Sequence, residues 1–164
     1  VSRQLLSQFI MASLTLATFN CRGMSRRPHA SGKCGGTRPR NGYAPSLNYT
    51  CVYSNVRYPD NTPCIPVDRN RRRVDVPGLC RNGRCIPFSD LEFELAYCVH
   101  PRHLRKCAEK ENTAKIVLHN CHYYCTVNGR WYYGYYNSYY SSSCFLLNPF
   151  PPGRLGWCCN GNCI

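Results

Sequence analysis

Cysteine and histidine residues lie close together at two places in the sequence, a pattern that raises the question of a metal site. The first group contains Cys98, His100, His103 and Cys107, and the second contains Cys121, His122 and Cys125. Zinc fingers usually combine a C-x₂-C spacing with an H-x₃₋₅-H spacing, and neither group shows that combination. The sequence therefore favours the alternative, in which the cysteines are oxidised to disulfides and the histidines are incidental surface residues.

No recognised catalytic motif accompanies these residues. The sequence lacks a G-x-S-x-G nucleophile elbow, an H-E-x-x-H helix and a glycine-rich phosphate loop. Only 8 of the 164 residues are acidic, so carboxylates for general acid–base catalysis are scarce. We predict a protein that is not an enzyme, with no catalytic residue and no cofactor or metal ion.

The cysteine content indicates the compartment. Fourteen cysteines in 164 residues are typical of a disulfide scaffold in an oxidising, extracellular environment. No apolar run reaches the roughly 18 residues of a transmembrane segment. The single N-x-[ST] sequon, Asn48-Tyr49-Thr50, predicts N-glycosylation at Asn48 in an exposed loop.

The amino-terminal part divides into two segments. Residues 4–19 (QLLSQFIMASLTLATF) resemble the hydrophobic core of a signal peptide, so residues 1–20 are interpreted as one whose first residues are missing. The alternative is an amphipathic helix that belongs to the fold. Residues 21–46 are rich in Gly, Pro and Ser and contain no acidic residue. Such a segment cannot bury enough apolar area to offset its ordering entropy, so a flexible basic arm is expected.

The arm is the predicted anion-binding segment. Residues 1–50 contribute +7 of the formal net charge of +13. The candidate residues for binding heparin or another anion are Arg22, Arg26, Arg27, Lys33, Arg38 and Arg40. Nucleic acid is an alternative polyanion, but a secreted protein meets glycosaminoglycans or membrane lipids instead.

A nine-residue motif occurs twice. The first copy reads Gly78-Leu79-Cys80-Arg81-Asn82-Gly83-Arg84-Cys85-Ile86, and the second is Gly156-Trp157-Cys158-Cys159-Asn160-Gly161-Asn162-Cys163-Ile164. Asn-Gly between two cysteines predicts a type I′ hairpin that holds its cysteines on neighbouring strands, each directed to a different partner. The repeat predicts two cysteine-rich modules, residues 47–98 and 107–164.

The regions around these motifs favour short strands and long loops. Residues 88–98 (FSDLEFELAYC) are the one helical candidate, although the alternation of Leu91, Phe93 and Leu95 also fits a strand. The loop Asp68–Arg73 is interpreted as solvated. We predict an all-β fold of small disulfide-rich modules behind the arm.

An aromatic cluster in the second module is the candidate partner-binding site. Trp131, Tyr132, Tyr133, Tyr135 and Tyr136 lie in a run of high β-propensity. These rings either fill a core that has few aliphatic side chains or form a recognition surface, since Tyr and Trp offer large contact area at low entropic cost. A strand exposes alternate residues on opposite faces, which slightly favours recognition.

The cysteine pattern resembles that of the tick evasins and related salivary anticomplement proteins. The resemblance rests on Cys121-His122-Tyr123-Tyr124-Cys125, Trp131, Cys144 and both C-x-N-G-x-C blocks, and covers about two thirds of the chain. The pairs it implies are Cys107–Cys125, Cys121–Cys158, Cys144–Cys163, Cys51–Cys80 and Cys64–Cys85, in a knotted core. Asn55 stands where the first module would carry a further cysteine, and Cys21, Cys34, Cys98 and Cys159 stay unassigned.

The resemblance also implies a function. Evasins are secreted proteins that bind host chemokines, so the expected role is neutralisation of a host defence protein by a tick salivary protein. The basic arm departs from the acidic amino-terminal segments of many evasins. Inhibition of complement or coagulation proteins is the alternative, and glycosaminoglycan binding is another.

Overall fold

The computed structural model describes Cys34, Pro39 and residues 41–114, 116–137, 143–146 and 154–164. Short strands predominate over helix, as predicted for a disulfide-rich, all-β protein. The strands in this part of the chain are β1 (Ala44–Leu47), β2 (Val52–Tyr53), β3 (Val56–Arg57), β4 (Pro63–Val67), β5 (Gly78–Arg81), β6 (Arg84–Pro87), β7 (His122–Val127), β8 (Arg130–Tyr135), β9 (Ser143–Phe145), β10 (Leu155–Cys159) and β11 (Asn162–Cys163).

The segment after β6 forms helical turns rather than a strand. A 3₁₀ turn covers Phe88–Asp90, helix α1 covers Phe93–Ala96, and a second 3₁₀ turn covers Tyr97–Val99. Leu95 and the preceding Leu91 pack against the main hydrophobic core. A further 3₁₀ turn, Arg102–Leu104, leads toward the second module.

Two-residue turns with positive φ connect the hairpins. Asn82-Gly83 and Asn160-Gly161 adopt φ values near 49° and 80°, in agreement with the type I′ geometry that the motif predicts. Asn128-Gly129, which joins β7 to β8, also has positive φ at both residues. This Asn-Gly pair would have predicted a third hairpin turn from the sequence. Ser54-Asn55 forms the tip of β2–β3, so the position that lacks a cysteine lies in an exposed turn.

The first module is organised around a four-stranded sheet. Its strand order is β1-β4-β5-β6, with β1 parallel to β4 and the other pairs antiparallel. Cys80 and Cys85 lie directly opposite each other in the β5–β6 hairpin, yet each bonds a cysteine upstream, Cys51 and Cys64 respectively. All four cysteines are buried and form a small core of their own.

The second module repeats this arrangement. Cys158 and Cys163 lie opposite each other in β10–β11 and bond Cys121 and Cys144. A third disulfide, Cys107–Cys125, has no counterpart in the first module. These five disulfides are the pairs that the evasin resemblance implies, and Cys159 is also disulfide-bonded.

The glycine that opens each motif allows the two ends of the motif to approach closely. A Cβ on Gly78 would overlap the main-chain oxygen of Ile86, and a Cβ on Gly156 would overlap that of Ile164. The two isoleucines are the last residues of their motifs. The motif therefore encodes a hairpin whose strands meet at a contact that only glycine permits.

One hydrophobic core joins the two modules. It combines Ile65 and Leu79 of the first module with Tyr132 and Tyr133 of the second. Leu104, from the segment between the modules, is fully buried in the same cluster. The two predicted modules are thus related by sequence but share their largest apolar core.

The structure differs from the sequence prediction at the carboxyl-terminal end of the proposed arm, residues 21–46. Tyr43 is buried, donates a hydrogen bond from its hydroxyl to the Val99 carbonyl, and precedes β1. Cys34 forms a disulfide with Cys98, a pair that the sequence left unassigned. These residues belong to the folded body because an aromatic side chain and a cystine provide the burial that the polar composition of the arm does not.

The motif glycines generate a stability prediction. Gly78→Ala and Gly156→Ala should each destabilise the fold by about 3 kcal/mol or more, since the added methyl group would meet main-chain atoms that cannot move aside. The matched control is Gly129→Ala, where a Cβ has open space and only the positive φ is strained, at a cost of about 1 kcal/mol. Chemical denaturation of the three variants measures the differences, and equal losses would contradict the close-contact explanation.

Candidate functional site

The candidate site is the aromatic ribbon, defined here as strands β7 and β8 with Tyr136. The ribbon runs antiparallel in register from His122↔Tyr135 to Val127↔Arg130. Aromatic and β-branched side chains suit a pleated ribbon, and the Asn128-Gly129 turn sets its register. Residues opposite each other share a face, so the register assigns each ring to one side of the ribbon.

The inner face of the aromatic ribbon packs on the shared core. Tyr133 donates a hydrogen bond from its hydroxyl to the His100 carbonyl over 2.9 Å. The Tyr124 ring contacts the Tyr43 ring edge-on, with centroids 6.3 Å apart. Burial raises the pKa of Tyr133 and Tyr124 above the usual range, so both stay neutral hydrogen-bonding groups.

Two residues predicted for the partner-binding surface lie in the core instead. Tyr132 is 4% exposed and Tyr133 is 1% exposed, so neither is available as an anchor. The reason is that β8 is covered on both faces. Both rings belong to the shared core, and Tyr132 also lies beneath Lys106, opposite Cys125 of the Cys107–Cys125 disulfide.

The segment before β7 also covers one edge of β8. Cys107 donates its main-chain N–H to Tyr133, and Lys110 donates to Tyr135, so the chain runs parallel to β8 through this region. The Tyr123 hydroxyl donates to the Ala108 carbonyl in the same region. Among the described strands β7 pairs with β8 alone, which leaves β7 as the free edge of the aromatic ribbon.

The remaining predicted anchors, Trp131, Tyr135 and Tyr136, are partly exposed. The Trp131 indole N–H donates to the Arg71 carbonyl over 3.2 Å, which joins the aromatic ribbon to a loop of the first module. Tyr136 packs beside Tyr123, with ring centroids 5.3 Å apart. Tyr123 was not among the predicted anchors. Its position two residues before Cys125 places it on the same face of β7 as that cysteine.

Basic side chains lie over the rings of the aromatic ribbon. The ring–cation pairs are Tyr124 with Arg73 (5.2 Å), Tyr135 with Arg105 (5.0 Å), Tyr132 with Lys106 (4.9 Å), and Lys110 with Tyr123 (4.0 Å) and Tyr136 (5.4 Å). Such contacts orient the cation and each contribute roughly 0.5–1 kcal/mol at exposed sites. Pairs such as Arg73 with Tyr124 join residues that are distant in sequence, so sequence spacing does not indicate them. Positive charge therefore lies over rings on both faces of the aromatic ribbon, with Arg73 and Arg105 on one face and Lys106 and Lys110 on the other.

Two histidine rings stack on the inner face of the aromatic ribbon, His122 from β7 and His100 from the segment after the first module. The His100 and His122 rings are nearly parallel, with centroids 3.8 Å apart, and His100 Nε2 lies 2.9 Å from the Tyr124 hydroxyl. Burial lowers the pKa of His122 to about 4, and burial together with the neighbouring His122 lowers that of His100 well below its usual range. The expectation that the histidines are incidental surface residues is wrong for His100, which is 7% exposed because it completes the shared core.

The cysteines near these histidines are oxidised. Cys98, Cys107, Cys121 and Cys125 all belong to disulfides, so their sulfurs are not available as the thiolates that zinc requires. Sulfur atoms do cluster within 4.8 Å at two places, but each cluster consists of sulfurs from two adjacent disulfides. These clusters are Cys51, Cys64 and Cys85, and Cys121, Cys144 and Cys158.

The other predicted site residues fall in two classes. Asn48 is exposed in a turn with φ of 50°, with Thr50 also exposed, so the sequon is accessible. The arm residues predicted to bind heparin lie outside the described residues: Arg22, Arg26, Arg27, Lys33, Arg38 and Arg40.

Comparison of the chain with family models, with curated proteins and with solved structures found no match. The resemblance to evasins therefore rests on cysteine spacing and the Asn-Gly turns. Within the described residues, no helix has the length and apolar character needed to cross a bilayer. The many disulfides fit an extracellular protein.

The stacked histidines predict acid sensitivity. The pKa of His122 is about 4 in the folded state and near 6.5 when unfolded, so the unfolded chain binds the extra proton as pH falls between these values. His122 alone should therefore lower the free energy of unfolding by about 2 kcal/mol between about pH 7.5 and about pH 4.5, and His100, whose pKa is also lowered, should add to the drop. Denaturant titrations at the two pH values measure the drop.

His122→Phe should remove much of this pH dependence while keeping a ring against His100. His119→Gln, which alters an exposed histidine, is the matched control and should retain it. A pH dependence that is unchanged in His122→Phe would contradict the assignment to this pair.

Proposed function

We propose that the protein is a secreted, non-enzymatic binding protein that captures a host defence protein, with a chemokine as the target. The observation that carries the proposal is the aromatic ribbon: Trp131, Tyr135 and Tyr136 are partly exposed on a strand pair held by the Cys107–Cys125 disulfide. Rigid aromatic side chains of this kind act as anchors in protein interfaces because they lose little entropy on binding.

The chemokine as target rests on the resemblance to tick evasins, which also supplies the salivary source. The five disulfides that agree with the evasin pairing support that resemblance. The edge of β7 that no other described strand pairs with adds a second mode of contact, since an extended partner segment can pair with its main chain. In this proposal the exposed rings determine affinity and the strand edge determines orientation.

A complement or coagulation protein is the second candidate, and the charge of the ribbon surface favours it. Arg105 and Lys110 lie over the partly exposed rings of Tyr135 and Tyr136. An acidic partner would be attracted to this surface, whereas a basic chemokine would be repelled at long range and associate slowly. Contact between rings and apolar groups of a chemokine has to outweigh that repulsion.

The test compares the full-length protein with two surface variants. Tyr135→Ala/Tyr136→Ala removes the two partly exposed tyrosines among the predicted anchors and should weaken binding to a chemokine panel at least tenfold, as expected for truncated aromatic anchors. Tyr53→Ala is the control, because Tyr53 is 67% exposed on the separate β2–β3 hairpin, and it should bind as the parent does. Thermal unfolding of each variant establishes that it is folded.

A complement lysis assay and a clotting assay run on the same samples separate the two candidates. No binding to any chemokine together with inhibited lysis or clotting would overturn the chemokine proposal in favour of the second candidate. Equal binding by the Tyr135→Ala/Tyr136→Ala variant and the parent would overturn the aromatic ribbon as the site.

A further inference from the structure

The loop between β4 and β5 carries four exposed arginines: Arg69, Arg71, Arg72 and Arg73. From the sequence it was interpreted as a solvated loop. The structure agrees, since residues 69–74 are exposed, and it adds a set of hydrogen bonds within the loop. Asp68 receives the main-chain N–H groups of Asn70 and Arg72 on its carboxylate, over 2.8 and 2.9 Å, and its own N–H donates to the Arg72 carbonyl.

This use of Asp68 has an electrostatic consequence. The Asp68 carboxylate accepts main-chain N–H groups of the loop, and within the described residues it forms no ion pair with an arginine. The arginine side chains are exposed, while Asp68 is only partly so. The loop therefore presents a concentrated positive charge on a preorganised main chain.

The loop is also joined to the second module. The Arg71 carbonyl accepts the Trp131 indole N–H, and the Arg73 guanidinium lies over the Tyr124 ring. The loop thus packs against the aromatic ribbon, and its four exposed arginines are called the arginine surface: Arg69, Arg71, Arg72 and Arg73.

We propose that the arginine surface binds a sulfated glycosaminoglycan. The planar guanidinium group is weakly hydrated and presents a fork of N–H donors that suits the oxygens of sulfate as it suits those of phosphate. A linear polyanion matches several like charges on a fixed loop. The disulfides indicate an extracellular setting, where sulfated polysaccharides are available, whereas anionic lipids are concentrated in the cytoplasmic leaflet.

This site is separate from the protein-capture function proposed above and from the arm residues predicted to bind heparin. It would retain the protein on cell surfaces and matrix while Tyr135 and Tyr136 contact another partner. Arg69 and Arg72 are the residues to test. Within the described residues their side chains form no hydrogen bond, ion pair or cation–π contact, whereas the Arg73 guanidinium lies over the Tyr124 ring. Their replacement should therefore leave the fold intact.

The experiment measures binding of the full-length protein to immobilised heparin as a function of salt. Arg69→Gln/Arg72→Gln should weaken binding about tenfold and lower the slope of log K against log salt by about two, since two ionic contacts are lost. Arg81→Gln/Arg84→Gln is the matched control, because it removes the same charge from the β5–β6 hairpin. A third variant, Arg22→Gln/Arg26→Gln, measures the contribution of the arm.

The proposal predicts that the first variant loses far more affinity than the Arg81→Gln/Arg84→Gln control. Equal losses in these two variants would show that net charge alone governs binding and would overturn the site. Loss in the arm variant alone would assign heparin binding to the arm and would also overturn it. Weakened binding to phosphatidylserine vesicles with unchanged heparin binding would overturn the glycosaminoglycan in favour of a membrane.

Discussion

Two cysteines placed side by side on a tight hairpin are the constraint on which the rest of the structure depends. In each copy of the motif the cysteines are direct cross-strand neighbours, but each bonds a different residue upstream. Both upstream segments are thereby drawn to the same point. Each closed loop removes entropy from the unfolded chain, worth about 3 kcal/mol for loops of this length, so short strands with few aliphatic residues can stay folded.

This constraint explains how the aromatic residues are used. The cystines occupy the centre of each hairpin sheet, and aromatic side chains then fill the space where the two modules meet. Tyr133 and Tyr43 place their hydroxyls on the carbonyls of His100 and Val99, so both polar ends are satisfied within the core. The large rings supply the apolar area that leucine and isoleucine would supply elsewhere. The partly exposed rings of Trp131, Tyr135 and Tyr136, at the edge of this core, are the ones available to a partner.

Local features of the fold could be predicted from the sequence, whereas long-range packing could not. Asn82-Gly83 and Asn160-Gly161 specify their turns because few residue pairs tolerate positive φ twice in succession. The five disulfides could be expected only through the resemblance, since cysteine spacing alone does not determine connectivity. The Cys34–Cys98 disulfide had no such precedent and stayed unassigned.

The candidate site was predicted in its position but not in its composition. Trp131 to Tyr135 do form a strand, but period-two alternation was taken to leave one face open. A second layer, the segment containing Cys107 and Lys106, covers that face and buries Tyr132. The cations over the rings come from positions such as Arg73 and Arg105, whose proximity depends on how the two modules pack.

Disulfide mapping of the unreduced protein by mass spectrometry tests the central claim most directly. The account predicts linked peptides for Cys51–Cys80 and Cys64–Cys85 in the first module, and for Cys121–Cys158 and Cys144–Cys163 in the second. Disulfides within the hairpins, Cys80 to Cys85 or Cys158 to Cys163, would contradict it, because the upstream segments would then no longer be drawn to the hairpins.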